Sequence, residues 1–200
     1  MRKIIVLEFL TLDGVMQAPG GSKEDASEGF KYGGWMGAFF DDAGGKIMVD
    51  QMAGEYDLLL GRKTYDIFAN FWPTHAESGG WPQVNKITKY VVSKTLKEGS
   101  WENTVILKDI EDVKKLKEED GPPLQIYGSA NLIQSLLSEK LVDQLWLKIF
   151  PLTLGSGKKL FDKGTIPENF KLLKSEITPS GVIAANYEAV GGDIKIAEMG

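Results

Sequence analysis

The chain has 200 residues, of which 42% are hydrophobic, 26% charged and 10% aromatic, which excludes a disordered or fibrous chain and suits one domain around one core. It has no cysteine and one histidine, His75, which removes disulfides, thiolate chemistry, iron–sulfur clusters and a multi-imidazole zinc shell; no dedicated metal site is expected. With 23 basic against 28 acidic residues the formal charge is −5, which argues against nucleic acid or an anionic membrane and for a small-molecule partner.

Arg2 and Lys3 precede an apolar run, but Glu8 interrupts it, and Thr11, Leu12, Asp13 and Gly14 follow as a strand end and its turn. No uninterrupted apolar segment approaches the ~20 residues of a bilayer crossing. Together with the lack of cysteine this predicts a soluble, cytoplasmic protein.

Ile4 to Phe9 reads as the first strand, closed by Asp13-Gly14. The glycine-rich stretch from Val15 to Asp42 is too long for a passive connection and predicts a lid or binding element. Ile47, Met48, Met52 and Tyr56 fall at helical spacings within Ala43 to Tyr56, and Asp57 to Gly61 follows as a buried strand. A short helix over Thr64 to Phe68 leads into an aromatic loop holding Phe71, Trp72, Pro73, Gly79, Gly80, Trp81 and Pro82, then a strand over Lys89 to Ser93. Val105 to Leu107 predicts a short strand, and Ile110 to Glu119 an amphipathic surface helix with Val113 and Leu116 inward.

After Gly121, Pro122 and Pro123, Leu124 to Tyr127 is extended, and Gly128-Ser129 opens a helix with Leu132, Ile133, Leu136 and Leu137 inward. Leu145, Leu147 and Ile149 alternate as in a half-buried strand. Phe170 to Thr178 and Val182 to Val190 flank Pro179-Ser180-Gly181 as a long hairpin. The order predicts a single three-layer α/β/α domain over residues 1–200, its mixed, mostly parallel sheet closed by a C-terminal antiparallel hairpin.

In open α/β sheets ligands bind beyond the carboxyl ends of the strands, and three polar clusters stand there. Gly61, Arg62, Lys63 and Thr64 combine a turn glycine, two cations and a hydroxyl that can cap the next helix. Ser93, Lys94 and Thr95 offer hydroxyls and a cation that can hold the same phosphate or its ribose. Gly128, Ser129, Ala130 and Asn131 present backbone amides at a helix N-terminus, an anion site by geometry and dipole. Singly, each reads as well as an ordinary polar turn; their repetition after three strands suits an extended dinucleotide with an extra phosphate, NADPH over NADH.

Thr11 to Gly14, Asp57 to Tyr65, Lys89 to Leu96, Ile126 to Leu132 and above all Phe150-Pro-Leu-Thr-Leu-Gly-Ser-Gly-Lys-Lys-Leu-Phe161 resemble the dihydrofolate-reductase-like superfamily. More narrowly, the chain is similar to stand-alone relatives of the reductase domain of the bifunctional riboflavin-biosynthesis deaminase-reductase. The resemblance implies an NADPH-dependent reductase, with Arg62, Lys63, Thr64 and Ser93 around the 2′-phosphate and Gly128 to Leu132 under the pyrophosphate. It places Leu12, Asp13 and Gly14 beside the reacting carbon and Phe150 to Leu154 across from them, implies a homodimer, and makes a phosphoribosylamino-pyrimidine the first substrate to consider. Two positions depart from the folate reductases: Ser129 stands where a second glycine follows Gly128, and no carboxylate on the first helix falls in the register that holds a pteridine.

Asp13 reads either as an aspartate bonding its own turn or as a residue orienting substrate, and Asp50 as a solvated helix residue or a proton donor. Trp35, Trp72 and Trp81 lie outside the predicted strands, where large aromatics plug a satellite core or line a flat-ring pocket; with Phe150 and Leu154, Trp35 and Trp72 are the candidate substrate contacts. The leading expectation is an NADPH-dependent reductase of a small heterocyclic or carbonyl substrate. The alternatives are a dihydrofolate-reductase-type activity and a noncatalytic nucleotide-binding dimer.

Overall fold

Ile4–Thr11 forms β1, two residues longer than its apolar run, and it becomes the centre of the molecule because strands on both sides pair with it. The computed structural model of the protein describes residues 1–162, 165–194 and 196. In chain order the elements are β1, α1 (Asp42–Gln51), β2 (Asp57–Gly61), α2 (Arg62–His75), β3 (Lys89–Val92), β4 (Thr104–Leu107), α3 (Ile110–Glu118), β5 (Leu124–Tyr127), α4 (Ala130–Ser138), β6 (Gln144–Phe150), β7 (Phe170–Ile177) and β8 (Ile183–Ala189). They build one eight-stranded sheet in the order β4-β3-β2-β5-β1-β6-β8-β7. β1 to β6 are mutually parallel, and β8 and β7 add antiparallel to β6, giving the mixed sheet with a closing hairpin that the sequence predicts.

Successive residues of a strand face opposite layers, and the two faces are covered separately. Leu59, Ile4, Val6, Leu124 and Ile126 meet Val113 and Leu116 of α3 and Leu132, Ile133 and Leu136 of α4. Leu58, Leu60 and Val91 meet Tyr65 and Phe68 of α2, with Trp81 and Trp101. A third cluster, formed by Val15, Ala18, Phe30, Trp35, Phe150 and Val182, lies under the long segment between β1 and α1.

Three local expectations change. α1 stops at Gln51, and the chain turns at Gly54 (φ +87°), so Tyr56 packs outside the helix, where its hydroxyl accepts from Trp81 Nε1 at 2.5 Å. α2 starts at Arg62 and runs to His75, so Phe71, Trp72 and Pro73 are helical; Pro73, which has no N–H to give the ladder, falls in the last turn, and the helix ends two residues later. β6 is not half-buried: Lys148 is buried with Leu145, Leu147 and Phe150, because β1 and β8 flank the strand and both of its faces are covered.

A buried cation locks the bottom of the sheet. The Arg2 guanidinium is 3% exposed, donates from Nε to Pro122 O at 2.7 Å and from Nη1 to Tyr90 Oη at 3.3 Å, and pairs through Nη2 with Asp57. Removing one partner of such a pair leaves an uncompensated interior charge. Asp57→Ala is expected to lower stability by about 3–5 kcal/mol, read as a lower urea midpoint at unchanged slope.

Candidate active site

The carboxyl ends of β1, β2, β3 and β5 open onto one cavity of about 1090 Å³, just above the roughly 300–1,000 Å³ typical of ligand pockets. Its wall includes Gly61, Arg62, Lys63 and Thr64; Ser93 and Lys94; and Gly128, Ser129, Ala130, Asn131 and Leu132. The three polar clusters therefore share one trough. Its apolar part is made by Leu7, Phe9, Met16, Met36, Phe40, Met48, Met52, Phe68, Trp72, Trp81 and Tyr127.

Three helices begin on this wall, and two of them, α2 and α4, have no side-chain cap. α2 follows Gly61 directly, so Thr64 lies inside the helix and does not cap it, while α4 follows Ser129. By contrast α1 and α3 start with aspartates, Asp41 and Asp109, that accept amide hydrogen bonds from their first turns. Uncapped first turns leave N–H groups and the positive dipole end available to an anion.

The geometry comes from an irregular junction. Gly128 and Ser129 both have left-handed backbones, φ +71° and +74°, and Ser129 Oγ accepts from Gly61 N at 2.7 Å. A Cβ on Gly61 would lie 3.0 Å from that oxygen, so the close approach of β2 to α4 leaves little room for a side chain there.

Most of the charges on this wall are already engaged. Arg62 Nε bonds both carboxylate oxygens of Asp66 at 2.8 Å. Asp25 takes Lys63 Nζ at 2.7 Å and Lys158 Nζ at 2.6 Å, and these bonds with Ser27 hold its carboxyl well below the usual range in spite of burial. Ser93 Oγ accepts from the amides of Thr95 and Leu96 at 3.2 and 3.0 Å, ordering the turn that presents Lys94. Lys94 and Lys108 line the cavity without an ion pair among the described residues.

Several predicted residues fall elsewhere. Leu12, Asp13 and Gly14 are absent from the cavity wall: Leu12 is 62% exposed, and Asp13 accepts from Thr11 Oγ1 at 2.5 Å, Leu154 N at 3.2 Å and Gly155 N at 2.8 Å, bonds that lower its pKa. Asp13 is thus the turn-bonding residue, tying the end of β1 to the segment after β6. Asp50 lines a separate small groove with Trp146, Lys174 and Asn186. Trp35 and Phe150 plug the third cluster, ring centroids 5.3 Å apart, with Trp35 Nε1 donating to Gln17 O, and Leu154 packs against them; none of the three lines the cavity. Trp72 does, its ring edge-on to Trp81 at 5.0 Å. His75, at the end of α2, stacks on Phe71 at 4.3 Å.

Among the carboxyls on the cavity wall that sequence reasoning passed over, Glu8 and Glu24 are the two whose pKa is raised. Glu8, read only as the break in an apolar run, is 3% exposed on β1, and its Oε1 accepts from Gly128 N at 2.7 Å. Burial pushes its pKa up to about 8, against the opposing pull of that amide and of Lys148. Lys148, 5% exposed, has its ammonium 4.9 Å from the centroid of the Phe9 ring, and burial brings its pKa down to about 8. Glu24 accepts from the amides of Gly20 and Gly21, and burial raises its pKa as well. The available signal for Glu8 is its place inside an apolar strand, the one setting in which an acid cannot stay solvated.

A family model described as the RibD C-terminal domain matches residues 2–184. The chain belongs to the RibD C-terminal domain family. This is a reductase family, and the resemblance read from the sequence agrees with it. Among curated relatives, the uncharacterized protein YyaP of Bacillus subtilis (strain 168) is 33% identical over 136 residues, covering 65% of this chain and 72% of that protein. Among solved structures, a putative riboflavin biosynthesis protein from Shewanella sp. PV-4 superposes with a TM-score of 0.68 at 21% identity, covering 94% of this chain and 98% of the other. A pyrimidine reductase-like protein from Corynebacterium diphtheriae superposes at 0.58 and 12% identity, covering 96% and 93%. At these identities the two structures show that the α/β fold of RibD C-terminal relatives is shared. Among the described residues, no helix is long and apolar enough to cross a membrane, and no metal-binding cluster of histidine and acidic residues is found.

The buried acid gives a stability signature. Between the unfolded value near 4.5 and the folded value near 8, the native state binds a proton that the unfolded chain has released, so Glu8 makes the protein less stable as pH rises through that window. Glu8→Gln keeps the acceptor for Gly128 and removes the titration. Its melting temperature is expected to match the parent near pH 4 and to exceed it by several degrees at pH 8, as ~1 kcal/mol is worth about 2–4 °C in a chain of this size.

Proposed function

We propose that this protein is a cytoplasmic NADPH-dependent reductase of a small heterocyclic or carbonyl substrate, of the kind the riboflavin-pathway relatives suggest. The observation that carries the reading is the pair of uncapped helix N-termini, after Gly61 and after Ser129, on the wall of one large cavity. Both fit phosphate groups by charge and by hydrogen bonding. In this reading the amides of Ala130, Asn131 and Leu132 hold the pyrophosphate, while Arg62, Lys63, Thr64, Ser93 and Lys94 surround the 2′-phosphate. When bound, NADPH supplies the hydride.

The chain's own part is binding, orientation and exclusion of water. Met16, Met36 and Phe40, contributed by the segment between β1 and α1, add to the apolar wall of the cavity with Trp72 and Trp81. Flat, partly apolar substrates suit that wall. Folate-type reduction suits it less: α1 brings Met48 to the wall, with Met52 just past the helix end, and the helix's Asp50 faces another groove.

Calorimetric titration with NADPH and NADH tests the cofactor. Arg62 is partly exposed and shared with Asp66, so Arg62→Ala is expected to weaken NADPH about tenfold, the lower end for a charge-assisted phosphate contact, and NADH less than about threefold. Equal losses, or no binding of either, overturn the assignment.

We also propose a homodimer. β7 is the sheet edge and exposes Leu172, Leu173 and Ile177, with Ile183 beside them on β8. An apolar edge strand of this kind is normally covered. Light scattering is expected to give twice the 22.0 kDa chain mass, and Leu172→Lys with Ile177→Lys to shift it to the monomer.

A further inference from the structure

Among the acids on the cavity wall, Glu8 alone combines deep burial with an oxygen left over. Asp25 is held by two lysines, Asp66 by Arg62, Asp109 by the first turn of α3, and Glu24 by two glycine amides that favour its charged form. Glu8 uses Oε1 for the Gly128 amide, while Oε2 accepts no hydrogen bond among the described residues and the side chain forms part of the cavity surface. Its position on β1, bonded to the Gly128 amide, sets it on the same cavity wall as the two anion-suited helix ends.

We propose that Glu8 is the proton donor of the reduction, delivering a proton from Oε2 to the heteroatom of a substrate C=N or C=O bond as hydride reaches its carbon. The inference rests on the reductase reading. The balance is complete: the hydride that NADPH would supply, giving up a C–H bond and becoming NADP⁺, brings two electrons to carbon, the π pair moves to nitrogen or oxygen, that atom takes the Glu8 proton, and Glu8 is left as a carboxylate. Solvent reprotonates it through the open cavity.

The groups facing Glu8 fit both halves of the cycle. From β6, Lys148 brings an ammonium without a hydrogen-bond acceptor among the described residues; from the segment before α1, Glu24 brings a like charge; from the β5–α4 junction comes the Gly128 amide. Burial and Glu24 keep the proton on Glu8 near neutrality, and Lys148 and the amide stabilise the carboxylate once the proton has gone. An acid titrating near the working pH gives and regains its proton readily. Lys148 acts through Glu8 and is a positioning residue.

The test follows NADPH oxidation across pH with a panel of cyclic imines, small ketones and aldehydes, alongside the infrared band of a protonated carboxyl in the protein without ligand. The wild type is expected to show that band at pH 7 and to lose rate about tenfold per pH unit above about 8. Glu8→Gln is expected to lose the band, to fall at least about a hundredfold in kcat with a flat profile above neutrality, and to keep NADPH affinity within about threefold. Glu8→Asp should recover part of the rate, and Lys148→Met should move the falling limb to higher pH, which a purely structural lysine would not do. A band unchanged in Glu8→Gln, or a kcat within about threefold of the parent, overturns the proposal while leaving the reductase reading intact. A wild type that binds NADPH and reduces nothing in the panel removes the reductase reading, and this inference with it.

Discussion

The two left-handed residues at the start of α4 hold the site together. Gly128 N–H donates to Glu8 on β1, Ser129 Oγ accepts from Gly61 at the end of β2, and a Cβ on Gly128 would stand 3.3 Å from Thr64 Oγ1 on α2. One kinked dipeptide thereby fixes two strands and two helix starts relative to one another. A left-handed serine costs about 1–2 kcal/mol, and here its hydroxyl is spent on Gly61 instead of on its own helix. The same bond that stitches β2 to α4 leaves the N-terminus of α4 uncapped, so the strain and the anion site have one origin.

The cavity is less cationic than its composition suggests. Arg62 is shared with Asp66, and Asp25 bridges Lys63 on α2 to Lys158 beyond β6, so the segment between β1 and α1 is drawn over the opening by ion pairs that a ligand's phosphate would contest. Such partly exposed pairs are each worth ~1 kcal/mol or less, small beside a multivalent phosphate contact. The wall is therefore preorganised by internal carboxylates that are weak enough to give way, while the backbone amides carry the fixed part of the field.

What the sequence made legible divides along physical lines. Strands with β-branched or continuous apolar runs, such as Ile4 to Phe9 and Asp57 to Leu60, and helices with a clean 3.6 period, such as Ile110 to Glu119, lie within two residues of their predicted ends. α2 was harder: its second half, Phe71-Trp72-Pro73, has turn-like composition, and packing of Phe68 and Trp72 against Trp81 overrides local propensity. The three polar clusters at strand ends could be found because topology, not side-chain detail, brings them together. Trp35, Phe150 and Asp13 could not be assigned in advance, since an aromatic or an aspartate beside a strand end is a core plug, a turn bond or a ligand contact depending on which way it faces. Glu8 was hidden for the opposite reason: its neighbours look structural, and only the pairing of β1 with β5 and β6 shows how nearly it is buried, with the cavity its one opening.

Buried charges elsewhere in the molecule make the contrast. Arg2 meets Asp57, a carbonyl and a hydroxyl, and Lys89 donates to the carbonyls of Asn85 and Glu102 over the Trp101 ring; each has a partner on every charged nitrogen and lies off the cavity wall. Those groups fasten loops to the sheet, which accounts for them. Glu8 and Lys148 lie in adjacent central strands, where apolar residues of similar volume pack as well or better, and neither is saturated. An acid and an amine kept half-satisfied in the middle of a sheet lower stability near neutral pH. They are also the buried pair that reaches the cavity, through the one free oxygen of Glu8, so the proposed proton transfer, and not the needs of the fold, accounts for their placement.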